Sequence, residues 1–192
     1  MTHTFSKYIS SHIEAVKKLE AESLLIIDNI SSQIIKQLDC GKSIFCFGNG
    51  GSSAEASHFV GELVGRFEFA LRQPLSAFSL NADISSLTAI SNDYGYQDVF
   101  SRQVSGLCKK GDILFGLSTS GVSKNVIRAF NVGKSIGTIN IMLTGNRTKS
   151  IFENIDYTLK VPSQSTAIIQ EIHLVLIHHI CRKIDEHHEN RL

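Results

Sequence analysis

His58 and Glu62 stand four residues apart, a spacing that puts an imidazole and a carboxylate on one helix face. Such a pair can move protons to and from a substrate or hold a metal ion. Just ahead lies Gly48-Asn-Gly-Gly-Ser-Ser53, between an apolar strand expected at Ser43–Phe47 and a helix expected at Ala54–Val64. A strand, a glycine loop and a helix start turn backbone N–H groups and the positive end of the helix dipole toward a polar or anionic ligand. An ordinary tight turn before a solvated helix would use the same residue types, so this stretch alone suggests an enzyme without establishing one.

A second hydroxyl-rich loop, Ser118-Thr-Ser-Gly-Val-Ser123, follows another apolar strand and precedes another helix. Ser118, Thr119, Ser120 and Ser123, with Gly121 to tighten the turn, can clasp a phosphate without a lysine. A serine N-cap and turn would look alike locally. Neither loop matches the P-loop or the dinucleotide fingerprint, which argues against a nucleotide. Asn92-Asp93 reads as turn chemistry after a helix. The last helix, Thr166–Glu186, is apolar almost all round and is interrupted by Gln170, Glu171, His173, His178 and His179. Polar groups on a buried helix need partners, so His173 and His179 are expected to be satisfied core or interface histidines.

The elements that must position these groups follow from periodicity. Two apolar helical sets, Phe5 to Leu19 and Leu24 to Leu38, predict two N-terminal helices ending at Gly41. Short apolar runs at Ser43–Phe47, Leu75–Ser79, Asp112–Leu117, Thr138–Leu143 and Tyr157–Val161 alternate with helical segments near 54–64, 84–91, 98–107, 123–136 and 148–153. That alternation predicts an α/β fold, a parallel sheet with helices on both faces. In such sheets ligands lie beyond the carboxyl ends of the strands, where both loops and Thr144-Gly-Asn146 fall. The chain has 192 residues with a formal net charge of +1, 42% hydrophobic and 19% charged. It reads as one soluble domain with no electrostatic bias toward nucleic acid or membrane. Four scattered cysteines without a CxxC pair and no leader-like or membrane-length apolar run predict reduced thiols in a cytoplasmic protein.

Together, GNGGSSAEASHFVGELVGRF at 48–67, SNDYGYQDVFSRQ at 91–103, STSGVSKNVI at 118–127 and QEIHLVLIH at 170–178 resemble the phosphoheptose isomerase branch of the SIS (sugar isomerase) domain family. The resemblance implies a flavodoxin-like, doubly wound five-stranded sheet, with residues 1–192 as a single SIS domain and 1–40 as a helical extension in the subunit interface. It implies a homotetramer that isomerises sedoheptulose 7-phosphate to an aldoheptose phosphate, with one zinc ion per subunit. Substrate contacts would be Asn49, Gly50, Gly51, Glu62, Asn92, Asp93, Ser118, Thr119, Ser120, Ser123 and Gln170. Metal ligands would be His58, Glu62, Gln170 and His178, and Glu62 and His178 would be the catalytic pair. One departure is Ile168, where the family commonly carries arginine. Two rivals remain: a non-catalytic tetrameric SIS protein that binds the replication initiator, and an SIS isomerase for another sugar phosphate. The first lacks the helix carboxylate and the second helical histidine, both kept here as Glu62 and His178.

Overall fold

Side chains along the central strands alternate between two separate cores, as the two-residue period of a strand requires. In β1 (Ile44–Gly48), Ile44 and Cys46 face one core while Phe45 and Phe47 face the other. Ile113, Phe115 and Leu117 of β3 (Ile113–Ser118), and Ile141 and Leu143 of β4 (Ile139–Gly145), join the first core; Leu114 and Met142 join the second. With β2 (Ala77–Ser79) and β5 (Tyr157–Val161), they form a wholly parallel sheet in the order β2-β1-β3-β4-β5. These are the coordinates of a computed structural model, which describes residues 4–147 and 153–191. Of the helix expected near 148–153, residues 148–152 lie outside the described ones, and Glu153 is in a turn.

The first core is covered by α1 (Phe5–Asp39), α2 (Gly51–Val64) and α6 (Thr166–Glu189). The second is covered by α4 (Val99–Leu107) and α5 (Lys124–Ile136), with α3 (Ile84–Tyr94) at its margin. The expected doubly wound α/β fold is present. Gly116 shows how tightly the second layer sits: a Cβ there would collide with the Phe130 and Phe47 rings. No helix among the described residues is long and apolar enough to cross a membrane.

One expectation is corrected. The N-terminal region is a single 35-residue helix, not two. Its buried stripe runs through Ala15, Leu19, Ser23, Ile27, Ile30 and Ile34, a continuous three-to-four spacing in which the small Ser23 fills the place where an apolar residue was sought. Leu24, read as the start of a second stripe, is exposed, and nothing between Leu19 and Ser23 breaks a helix. The predicted stop holds: Gly41, at φ +70, turns the chain after Cys40, in the left-handed region that glycine tolerates.

Cys46, Cys108 and Cys181 are buried and free. Burial pushes the thiols of Cys108 and Cys181 up to about 12 and that of Cys46 higher still. All three are therefore protonated at neutral pH and serve as small apolar groups. Ile168, the position of the missing arginine, is 4% exposed and packs in the first core.

Candidate active site

The chain leaves β1 toward β2 on one side and returns to β3 on the other, so a crevice opens beyond the carboxyl ends of β1 and β3. Gly48 pairs with Leu117 across these strands, which brings the glycine loop and the seryl loop to neighbouring strand ends. Helix α2 starts at Gly51, three residues before the position expected, after Gly50 at φ +57. Ser52 and Ser53 donate their backbone N–H groups to the carbonyls of Asn49 and Gly50. Gly51 gives its side-chain space to the Gln170 amide, which a Cβ there would displace.

From that contact α2 and α6 run side by side in the same direction. Gly51 meets Gln170, Glu55 lies 3.6 Å from His173, and His58 meets His178. The His58 and His178 Nε2 atoms are 2.9 Å apart, and His58 Nε2 is 3.2 Å from Glu62 Oε1. One proton at most can sit between the two imidazole nitrogens, so at least one lone pair points back into the cluster. The Phe67 ring stacks on His178 at 5.5 Å between centroids and fixes its plane. Ligand atoms of His58, Glu62 and His178 all lie within 4.8 Å of one another. Two imidazoles and a carboxylate with converging lone pairs are the donor set of a three-ligand zinc site with a free position, so these residues fit the expected ion. Gln170, the fourth predicted donor, sits against Gly51, eight residues or about 12 Å of helix axis before His178.

A buried clamp fixes the far end of the same two helices. Arg72 Nε donates to Asp185 Oδ1 at 2.7 Å, and its Nη atoms donate to the carbonyls of Glu62 and Leu63 at 2.5 and 2.9 Å. Asp185 Oδ2 accepts the backbone N–H groups of Glu68 and Phe69 at 2.8 and 2.7 Å. Both side chains are almost fully buried. The guanidinium thus takes up the last carbonyls of α2, which a helix leaves unpaired, and ties them to α6. Sequence reading missed this pair, since 113 residues separate its members.

In the seryl loop Ser118 is buried, and its hydroxyl donates to Ser123 Oγ at 3.1 Å while accepting the Gly121 N–H at 3.2 Å. Ser120 Oγ accepts the Val122 N–H at 3.3 Å. These hydroxyls therefore shape the turn as well as lining it. Ser123 is the N-cap residue of α5, yet its side chain does not cap the helix; Asn125 Oδ1 accepts the Val126 N–H, which leaves the N–H groups of Lys124 and Asn125 to be satisfied from outside the helix. Asn92 and Asp93 belong to the end of α3 rather than to a turn after it; Asn92 donates to Asp93 at 2.8 Å. They stand on the other side of the sheet from α2 and α6, and the structure does not bring them to the His58–Glu62–His178 cluster. His173 is fully buried as expected but is not satisfied: neither ring nitrogen has a hydrogen-bond partner among the described residues, the Glu55 contact being too long. His179 is likewise long, 3.9 Å from Asp28.

The SIS domain family profile matches residues 5–145. A Thermoplasma acidophilum protein named probable phosphoheptose isomerase is 47% identical over 94% of this chain and 97% of its own. The phosphoheptose isomerase of Helicobacter pylori strain P12 is 43% identical over 96% of both chains. Among solved structures, a phosphoheptose isomerase from Francisella tularensis superposes with a TM-score of 0.89 at 32% identity, covering 94% of this chain and 96% of that one. The chain belongs to the SIS domain family, and within it to the phosphoheptose isomerases.

Proposed function

We propose that this protein is an aldose–ketose isomerase that converts sedoheptulose 7-phosphate to D-glycero-D-manno-heptose 7-phosphate, the first step toward activated heptose for surface polysaccharides such as lipopolysaccharide. The observation that carries this reading is the convergence of His58, Glu62 and His178 on α2 and α6, with the glycine and seryl loops at neighbouring strand ends. Relatives named for that activity match nearly the whole chain. The complete acid–base set favours catalysis over a binding role alone.

Isomerisation needs a base for the proton on the carbon beside the carbonyl and an acid for the oxygen. Glu62 takes that proton and returns it to the neighbouring carbon; His178 moves a proton between the two oxygens of the enediol. We assign zinc, one per subunit, to His58, Glu62 and His178; Gln170, which sits against Gly51, would serve as a fourth donor only from a neighbouring subunit. When bound, it supplies a Lewis acid that polarises the carbonyl. Gly50, Gly51 and Asn49 face the sugar, and Ser118, Thr119, Ser120 and Ser123 hold the phosphate with the N-terminus of α5, which fixes the sugar in register. Asn92 and Asp93 contact the substrate from the glycine-loop side, where Tyr96, on the same stretch of chain, reaches Asn49 at 2.8 Å; the protein works as a cytoplasmic homotetramer. In support, α1 leaves Phe5, Ile9, Ile13 and Leu24 exposed, apolar side chains of the kind that subunit contact covers.

Ser120→Ala tests the phosphate assignment. Losing one hydrogen bond to a charged group is expected to weaken inorganic phosphate binding roughly tenfold or more, read by competition against the sugar phosphate. Unchanged affinity would remove the seryl loop from the phosphate site.

A further inference from the structure

Asn49 is held in one orientation by a chain of hydrogen bonds that starts at a backbone group. The Val126 N–H can only donate, and it lies 3.0 Å from Asn125 Oδ1, which fixes the Asn125 amide. Asn125 is 4% exposed, so it has no solvent-facing alternative. Its Nδ2 then donates to Asn49 Oδ1 at 2.8 Å, and its Oδ1 accepts from Asn49 Nδ2 at 2.9 Å. The Tyr96 hydroxyl donates to the same Asn49 Oδ1 at 2.8 Å. That oxygen now has both lone-pair directions engaged, while Nδ2 keeps one hydrogen. Asn49 can therefore offer a ligand only an N–H. Tyr96, having given its proton to Asn49, can offer only oxygen lone pairs. The residue is 56% exposed.

We propose that Tyr96 is a specificity-determining residue of the sugar subsite. Its oxygen offers an acceptor on one side of the Asn49 amide, and the free Asn49 N–H offers a donor on the other. A sugar chain, whose hydroxyls both donate and accept, satisfies the two with separate hydroxyls. A phosphate or carboxylate oxygen only accepts, and would meet the Tyr96 lone pairs with no proton between them. The pair thus selects the hydroxylated chain for the glycine loop and leaves the phosphate to the seryl loop, which sets the direction in which the substrate lies. Asn125 is a positioning residue: it acts by holding Asn49. The inference rests on the sugar-phosphate isomerase reading above.

The test is Tyr96→Phe, which removes the hydroxyl from an exposed ring and leaves the buried amide pair in place. KM for sedoheptulose 7-phosphate is expected to rise about tenfold, the effect of one neutral hydrogen bond. kcat should stay essentially unchanged, because the contact is equally present in ground and transition states. Inhibition by inorganic phosphate should be unaltered. A second variant, Asn49→Asp, replaces the only free donor by an acceptor at equal size, and should lose far more affinity for the sugar phosphate than for inorganic phosphate. An unchanged KM in Tyr96→Phe, or an equal loss of phosphate binding, overturns the inference while leaving the isomerase reading in place. No turnover by the unsubstituted protein overturns both.

Discussion

Glu62→Gln is expected to lower kcat about a thousandfold while leaving the fold intact. A positioned general base contributes about 10² to 10⁴ in rate, and the amide that replaces it has nearly the same shape but accepts no proton. Glu62 lies on the second half of α2, half-buried, 3.2 Å from His58 Nε2, and its backbone carbonyl is held by Arg72. The substitution touches neither the helix nor the clamp, so thermal unfolding should shift little. Turnover is followed by the appearance of aldose product at saturating sugar phosphate. Activity within a few-fold of the unsubstituted enzyme would take Glu62 out of the proton transfer and leave it as a metal ligand alone. A parallel loss of bound zinc in the variant would show both roles in one side chain.

The largest expected loss of stability follows from Asp185→Ala. The side chain gone, Arg72 would keep a charge in a site where it is 1% exposed, and the N–H groups of Glu68 and Phe69 would lose their acceptor. Breaking a buried pair by removing one partner costs about 3–5 kcal/mol, which for a chain of this size lowers Tm by roughly 10 °C. Arg72→Ala should cost a similar amount, since Asp185 is then the buried charge without a partner. The double variant should lie close to either single one rather than at their sum, because both remove the same interaction. Thermal melts at one protein concentration test this; additive losses would mean that the two residues act independently. As the clamp ends at the Glu62 carbonyl, these variants should also lower kcat/KM at temperatures where they remain folded.

Much of the fold can be read from the sequence because the sheet is buried on both faces. A strand covered by helices on each side needs apolar residues throughout, and Ile44–Phe47 and Ile113–Leu117 are such runs. Tyr157–Val161 is placed correctly to the residue. The N-terminal helix was harder, since helical period arguments count apolar residues and Ser23 holds a buried place with a hydroxyl. Glycine and serine favour turns, so the pattern predicts α2 from Ala54; at a helix N-terminus they are well tolerated, and α2 starts at Gly51.

The site was legible in proportion to its locality. His58 and Glu62 declare themselves by spacing alone, and the structure brings them together with His178, whose assignment came from resemblance to the family and not from its place on an apolar helix. The groups that hold the site are another matter. Asn125 and Asn49 are 76 residues apart, and Arg72 and Asp185 are 113 apart. Nothing in composition or period joins such pairs; they meet only when the parallel sheet sets α2, α5 and α6 around one crevice. Tyr96 lies within the SNDYGYQDVFSRQ stretch at 91–103, but its value depends on an amide whose orientation is fixed by a backbone group on α5.

The measurement that bears most directly on the central claim is proton NMR of sedoheptulose 7-phosphate incubated with the purified, zinc-supplemented protein. The account predicts that the anomeric proton of an aldoheptose phosphate appears and grows to an equilibrium level, and that Glu62→Gln abolishes its growth. A spectrum that stays that of the ketose, with folded protein and zinc present, would contradict the isomerase assignment.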